Sequence, residues 1–326
     1  MADADLRGLT YRRMTPEDAD AVRRVEREAF AVGWSRGHAE RDDRPLRSLR
    51  NVNARYSKDP QGCFVAEING QIVGLVFSRT WGEVGWIGSL AVVPPWQRKG
   101  IGRALMELSL EYLRADPRRV LGLETDPADA RTLTLYHRAG FHAVSLSVHL
   151  VKNLEGEEAH GAALPRWSAA SDAQRSDWLR DLAVITGRLI PGLDYTKEIV
   201  ACPQFGTGET LVLTDGSRAV GFSAVALESP FEGWGESTAY VNALALDPMI
   251  AEEILLYTLL GETEVLAAEN GKTSVQLIAR ADQALVLGCL PAWGYAIERI
   301  GVRMIRRDSY VPVPSERDVD CSRWAG

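Results

Sequence analysis

The chain is short of cysteine, of positive charge and of long apolar runs, and each shortage removes a class of function. Four cysteines in 326 residues, Cys63, Cys202, Cys289 and Cys321, stand far apart. None has the C-x-x-C spacing of a zinc or redox motif, and four in so long a chain make no disulfide framework. Thirty-seven Lys+Arg against 44 Asp+Glu leave a formal charge of −7. Phosphate neutralisation needs clustered positive charge, so no nucleic-acid partner is expected. No uninterrupted apolar run approaches the roughly 18 residues of a membrane span. The first five residues, Met-Ala-Asp-Ala-Asp, carry no apolar h-region, so no membrane partner and a cytoplasmic location are expected. The five histidines, His38, His137, His142, His149 and His160, form no H-E-x-x-H or other ligand cluster, and no metal is expected.

What is present is an ordinary globular composition, 46% hydrophobic and 25% charged, at a length of about two domains. The spacing predicts a strand near Thr10–Met14 and a helix entered through Thr15-Pro16. A hairpin follows around Asn69-Gly70, then a strand over 84–93 closed by Pro94-Pro95. A helix begins near Ile101, a strand covers 120–125, and a helix runs from Asp129 to Ala139, ended by Gly140. The segment from Phe141 to Val151 alternates, with Val144, Leu146, Val148 and Leu150 on one face and Ser145, Ser147 and His149 on the other. The pattern then recurs. Leu90-Ala91-Val92 matches Leu244-Ala245-Leu246 at an offset of 154, as does Gly140-Phe141 with Gly294-Tyr295 and Asp18-Ala19 with Asp172-Ala173. One offset at three places indicates a tandem repeat.

The chemical signal lies in Gln97-Arg98-Lys99-Gly100-Ile101-Gly102-Arg103-Ala104, between a strand and an amphipathic helix. The glycines allow a tight turn and close backbone approach. Free amides at the helix start favour an anion, and Arg98, Lys99 and Arg103 add charge. The spacing is neither a P-loop nor G-x-G-x-x-G.

This Q-x-x-G-x-G loop follows Leu90-Ala91-Val92-Val93-Pro94. About 35 residues later comes Leu135-Tyr136-His137-Arg138-Ala139-Gly140-Phe141. Together, over roughly Leu9 to Val151, these segments resemble the GNAT N-acetyltransferase family. The resemblance implies an α/β fold of two tandem domains, each a mixed, mostly antiparallel twisted sheet flanked by helices. It implies acetyl-CoA as cosubstrate, with its pantetheine along Leu90, Ala91 and Val92 and its pyrophosphate on Gln97 to Ala104. Tyr136 falls where the family has its general acid. Asp129, where many members have Asn, borders the same site, and Thr132 stands where many have Ala. Glu124, twelve residues before Tyr136, looks like the base of the members that acetylate N-terminal residues; a rim carboxylate attracting a cationic amine is the other role open to it.

In the second copy the offset turns Gln97, Gly100, Gly102 and Tyr136 into Ala251, Ile254, Leu256 and Leu290. These residues are expected to continue an apolar helix face with Leu259 and Leu260. The expected organisation is a catalytic domain over 1–153, a linker over 154–163, a degenerate copy over 164–308 and a tail over 309–326. The expected reaction is direct transfer of acetyl to a primary amine on a small molecule or peptide, with the second copy an internal partner that would suit a monomer. Two alternatives stay open: a non-catalytic acyl-CoA-binding regulator, and an acyltransferase using a longer acyl-CoA. The net negative charge suits a cationic acceptor by steering. Arg41, Arg44, Arg47 and Arg50 recur every three residues and read as a solvated helix face balanced by Glu40, Asp42 and Asp43. Trp34, Trp81 and Trp86 are expected near the acceptor site or in the core.

Overall fold

The computed structural model describes residues 6–37, 44–115, 120–155 and 161–324. Side chains of residues 32–37, Trp34 among them, lie outside that description, as do Arg41, His38 and His160.

In the first half, β1 (Leu9–Arg13) leads through a one-turn 3-10 segment into α1 (Ala19–Gly37). The entry is a capping box between Thr15 and Asp18. Then come α2 (Leu49–Lys58), β2 (Cys63–Ile68), β3 (Gln71–Trp81), β4 (Val84–Val92), α3 (Ile101–Arg114), β5 (Val120–Thr125), α4 (Ala130–Arg138) and β6 (Phe141–Asn153). Asn69 and Gly70, both at positive φ, close the β2–β3 hairpin as a primed turn requires. The second half repeats the series: α5 (Asp172–Leu189), α6 (Thr196–Phe205), β7 (Gly208–Asp215), β8 (Arg218–Ala226), β9 (Thr238–Leu246), α7 (Glu253–Glu269), β10 (Ser274–Arg280), α8 (Ala284–Cys289) and β11 (Ala296–Arg306). A short β12 (Asp320–Ser322) ends it. The offset of 154 holds for the starts of β4 and β9, β5 and β10, and α4 and α8.

The strands form one twelve-stranded sheet in the order β1-β2-β3-β4-β5-β11-β6-β10-β9-β8-β7, with β12 beside β9. Its centre is an exchange. β11, the second copy's last long strand, pairs with β5 of the first, and β6 of the first pairs with β10 of the second. β11 lies along β6 over its whole length, from Phe141 to Val151. Neither 1–153 nor 164–308 therefore closes a sheet alone.

The exchange explains why β6 departs from its alternating pattern. A strand inside a sheet covered on both faces is buried on both. Ser147 and His149, on the polar face of the alternation, are 0% and 8% exposed, while Leu146 is at 39%. One core lies under α1 and α3 of the first half and a second under α7. A third joins them through Trp81, Trp86, Tyr195, Phe222 and Trp324. Trp81 and Trp86 are thus core residues, packed against Trp324 at centroid distances of 5.6 and 4.6 Å. The tail is docked, with Val319 and Cys321 buried. Among the described residues no helix is long and apolar enough to cross a membrane.

Candidate active site

β4 pairs in parallel with β5 only from Val84 to Ile87. Beyond that the two strands part, β5 keeping β11 on its other side; Gly88 and Ser89 lie at a bulge against β3, and Leu90 to Val92 pair only with β3. The residues at the parting, Gly88, Ser89 and Leu90, are half-buried, whereas Val84 to Ile87 are buried. One edge of Leu90, Ala91 and Val92 is therefore an unpaired strand edge inside the fold. Such an edge can accept an extended polar chain by adding main-chain hydrogen bonds.

At the end of that strand the chain makes one 3-10 turn over Pro94–Trp96 and enters α3. The Gln97 side chain donates from Nε2 to the Val92 carbonyl at 2.9 Å, tying the loop to the strand end. Arg98 and Gly100 both have positive φ, 63° and 87°. Alternating left-handed residues of this kind gather successive N–H groups into an anion-binding concavity. The first N–H groups of α3, from Ile101 onward, have no acceptor within the helix. A Cβ on Gly100 would meet nothing within 4 Å, and one on Gly102 would meet only Val92, at 3.7 Å. The glycines thus face open space rather than packing. Arg98 and Arg103 are exposed and Lys99 half-buried, whereas Ile101 is buried in the core and offers only its backbone. Arg103 pairs with Glu107 along the helix.

Asp129 caps α4: Oδ1 accepts from the N–H groups of Arg131 and Thr132, and Oδ2 from the Thr132 hydroxyl at 2.6 Å. Thr132 is thus a partner of the cap. Tyr136 is 5% exposed and packs edge-on to Phe141 at 6.2 Å. Burial, with the Asp129 charge, pushes its hydroxyl well above the usual tyrosine range, so it holds its proton at neutral pH. Glu124 lies on β5 with Oε1 accepting from Arg303 Nε and Nη2 at 2.9 and 2.7 Å. Arg303 comes from β11, so the exchanged strand delivers a second-copy residue to this carboxylate. Trp86 and Trp324 hold the guanidinium between them, with ring centroids at 5.4 and 4.6 Å.

A cavity of about 90 Å³ is shared by both halves, and one of its wall residues, Arg55, reaches Ser89 at the parting of β4 from β5. Its walls come from α2 and β3 on one side and from α6, β9 and the residue after β12 on the other. Of the arginine series noticed in the sequence, Arg50 is exposed as a solvated stripe requires, but Arg44 and Arg47 are not. α2 starts only at Leu49, and Arg44 and Arg47 are 9% and 5% exposed. Their anchor is Glu26 of α1, also buried. It binds Arg47 at 2.7 Å and Arg55 at 3.4 Å and accepts from the Ser89 hydroxyl at 2.7 Å. Burial alone would raise the Glu26 carboxyl; the guanidiniums outweigh it and hold it far below the usual range. Glu26, Arg55, Arg79 and Arg323 escaped the sequence reading because no local spacing joins them. His149 is pushed well below its usual range by burial and by Arg299, and so is neutral at pH 7.

The second copy lacks this architecture. Leu256, Leu259 and Leu260 are buried as an apolar face, while Ile254 points outward at 61% exposure. Glu252 and Glu253 begin α7 where the first copy has basic residues, and their charge repels a phosphate. The strand edge is also occupied. β12 pairs antiparallel with Ala243 to Ala245, the counterparts of Ser89 to Ala91. Gln283, the counterpart of Asp129, donates to the Asp320 carbonyl at 3.0 Å. The chain's own tail fills the second cleft.

The model of the acetyltransferase (GNAT) family matches residues 19–141. The mycothiol acetyltransferase of Cellulomonas flavigena is 33% identical over 171 residues, 49% of this chain and 48% of that protein. The match thus spans about half the length of that relative. A solved acetyltransferase-titled structure from Pyrococcus horikoshii superposes with a TM-score of 0.68 at 16% identity, covering 100% of this chain and 98% of that one. A tandem GNAT protein from the clavulanic acid biosynthesis pathway gives 0.57 at 15% identity, covering 93% and 99%. At these identities the solved structures speak to the fold alone.

Proposed function

We propose, for a chain that belongs to the GNAT acetyltransferase family through its first half and carries a tandem second copy, that it moves an acetyl group from acetyl-CoA to a primary amine in the first half. The observation carrying this is the free edge of β4 at Leu90 to Val92, running straight into the glycine-bearing concavity at Gln97 to Ala104. Pantetheine would lie along that edge and the pyrophosphate on the loop and the α3 amides. The amine nitrogen bonds to the acetyl carbonyl carbon. The carbon–sulfur bond breaks and its electron pair leaves with sulfur. Backbone N–H groups of the β4 edge would stabilise the oxyanion. Tyr136, which keeps its proton, would give it to the departing thiolate. Glu124 would take the amine's proton through Oε2, with Arg303 fixing Oε1.

The relatives' printed name supports a small-molecule amine acceptor, and no metal is needed for this route. The test is release of free CoA thiol, followed with a thiol-reactive dye across a panel of amines and with acetyl-, propionyl- and hexanoyl-CoA. Amine-dependent release that is fastest with acetyl-CoA is expected. Faster turnover of the longer thioesters would overturn the acyl choice. Binding of acetyl-CoA without release by any amine would favour a regulator.

A further inference from the structure

Resting on the acetyl-transfer reading, we infer that the acceptor is a compact amine that also carries an anionic group, a carboxylate or a phosphate, seated in the cavity between the two copies. The charge balance of its walls argues for this. Six cationic side chains line it: Arg47, Arg50, Arg55, Lys58, Arg79 and Arg323. Three carboxylates answer them. Glu26 serves both Arg47 and Arg55, Glu198 serves Lys58 at 2.6 Å and Arg79 at 3.6 Å, and Glu228 serves Arg50. Among the described residues Arg323 has no carboxylate at ion-pair distance; its guanidinium rests on the Tyr240 ring, 4.6 Å from the centroid.

Two further observations point to a ligand. Arg55 Nε is buried and has no hydrogen-bond partner among the described residues. A buried donor left unmade is costly, and an incoming anion would relieve that cost. Burial and the neighbouring guanidiniums also depress Arg323, to about 10, a repulsion that an anion between them would relieve. The cavity also lies where an acceptor must come. Arg55 Nη2 bonds Ser89 Oγ at 3.2 Å, and Ser89 immediately precedes Leu90 on the free strand edge. An anion held by these guanidiniums leaves the amine of a short molecule at the thioester. Guanidiniums suit carboxylate and phosphate alike, through paired N–H donors. The cavity is therefore opposite in sign to the chain as a whole, and the steering expected from net charge does not describe it.

The tail has a second job in this arrangement. By filling the second cleft, β12 carries Arg323 to the cavity wall, so the degenerate copy contributes a specificity-determining residue to the first copy's reaction.

The experiment is calorimetric titration of the full chain, saturated with CoA to block the pyrophosphate seat. Three amide probes mimic the product: N-acetylglycine, N-acetyl-phosphoethanolamine and neutral N-ethylacetamide. At least one anionic probe is expected to bind about tenfold or more tightly than the neutral one. The carboxylate and phosphate arms identify the anion. Arg323→Gln should erase the preference, and Arg323→Lys should retain part of it. CoA binding by each variant serves as the control for folding. Equal binding of charged and neutral probes, no binding of either anion, or full preference in Arg323→Gln would overturn the inference. Failure of the wild type to bind CoA would instead refute the acetyl-transfer reading, and the anion arms would still report on the cavity.

Discussion

Replacing Gly100 by Ile and Gly102 by Leu installs the second copy's residues in the first copy's loop. Gly100 has φ of 87°, a left-handed conformation that costs an ordinary L-residue about 1–2 kcal/mol, and a β-branched one at least that. Gly102 lies inside α3, where a better helix former than Gly gains about 1 kcal/mol. The new Leu Cβ meets only Val92, at ordinary contact distance. The gain offsets part of the cost, and the variant should lose about 1 kcal/mol of stability. Binding should behave differently, because both new side chains project into the open space where the proposed site puts the pyrophosphate. Acetyl-CoA at 100 times its Kd stabilises a native state by about 2.7 kcal/mol. At about 2 °C per kcal/mol for a chain of this size, the wild-type Tm should rise by about 5 °C. The double variant should melt near the wild type without ligand and show no rise with it. A retained rise would place the cofactor elsewhere. A loss above about 3 kcal/mol without ligand would show that the glycines serve the fold, contrary to the open space around them.

Trp324→Ala removes a buried indole stacked on Trp81, edge-on to Trp86 and donating from Nε1 to the Tyr195 hydroxyl at 2.6 Å, so urea unfolding should show a loss of about 3–5 kcal/mol; a loss below about 1 would mean the tail is not anchored there. Tyr136→Phe should lower kcat about 100-fold while leaving the Tm nearly unchanged, since the hydroxyl makes no hydrogen bond with the described residues; an unchanged kcat would remove Tyr136 from proton transfer. His149, depressed in the folded state, binds a proton more readily when unfolded, so stability should rise with pH below about 6.5 and level off above it. Glu26, also depressed, adds a second loss as pH falls below about 4.5. His149→Gln should remove the upper of these two slopes in a series of urea titrations, and its persistence would assign that slope to another group.

Much of the first copy could be read from local pattern alone. The Asn69-Gly70 hairpin, the Pro94-Pro95 strand end and the Gly100 helix entry each rest on a backbone preference of the residues themselves. The repeat at an offset of 154 and the loss of the loop glycines in the second copy also need only the sequence. Tertiary structure decided the rest, because it depends on contacts between segments far apart in the chain. Alternation in β6 reports one buried face only while the other meets water, and packing on the joint sheet buries residues 147–150 on both. A three-residue arginine spacing suggests a solvated helix, but Glu26, about twenty residues earlier, draws Arg47 inward. The pairing of Glu124 with Arg303 spans 179 positions. The sign of the acceptor cavity is likewise a matter of placement. A net charge sums over the whole surface, whereas a cavity feels the few groups that folding brings to its wall.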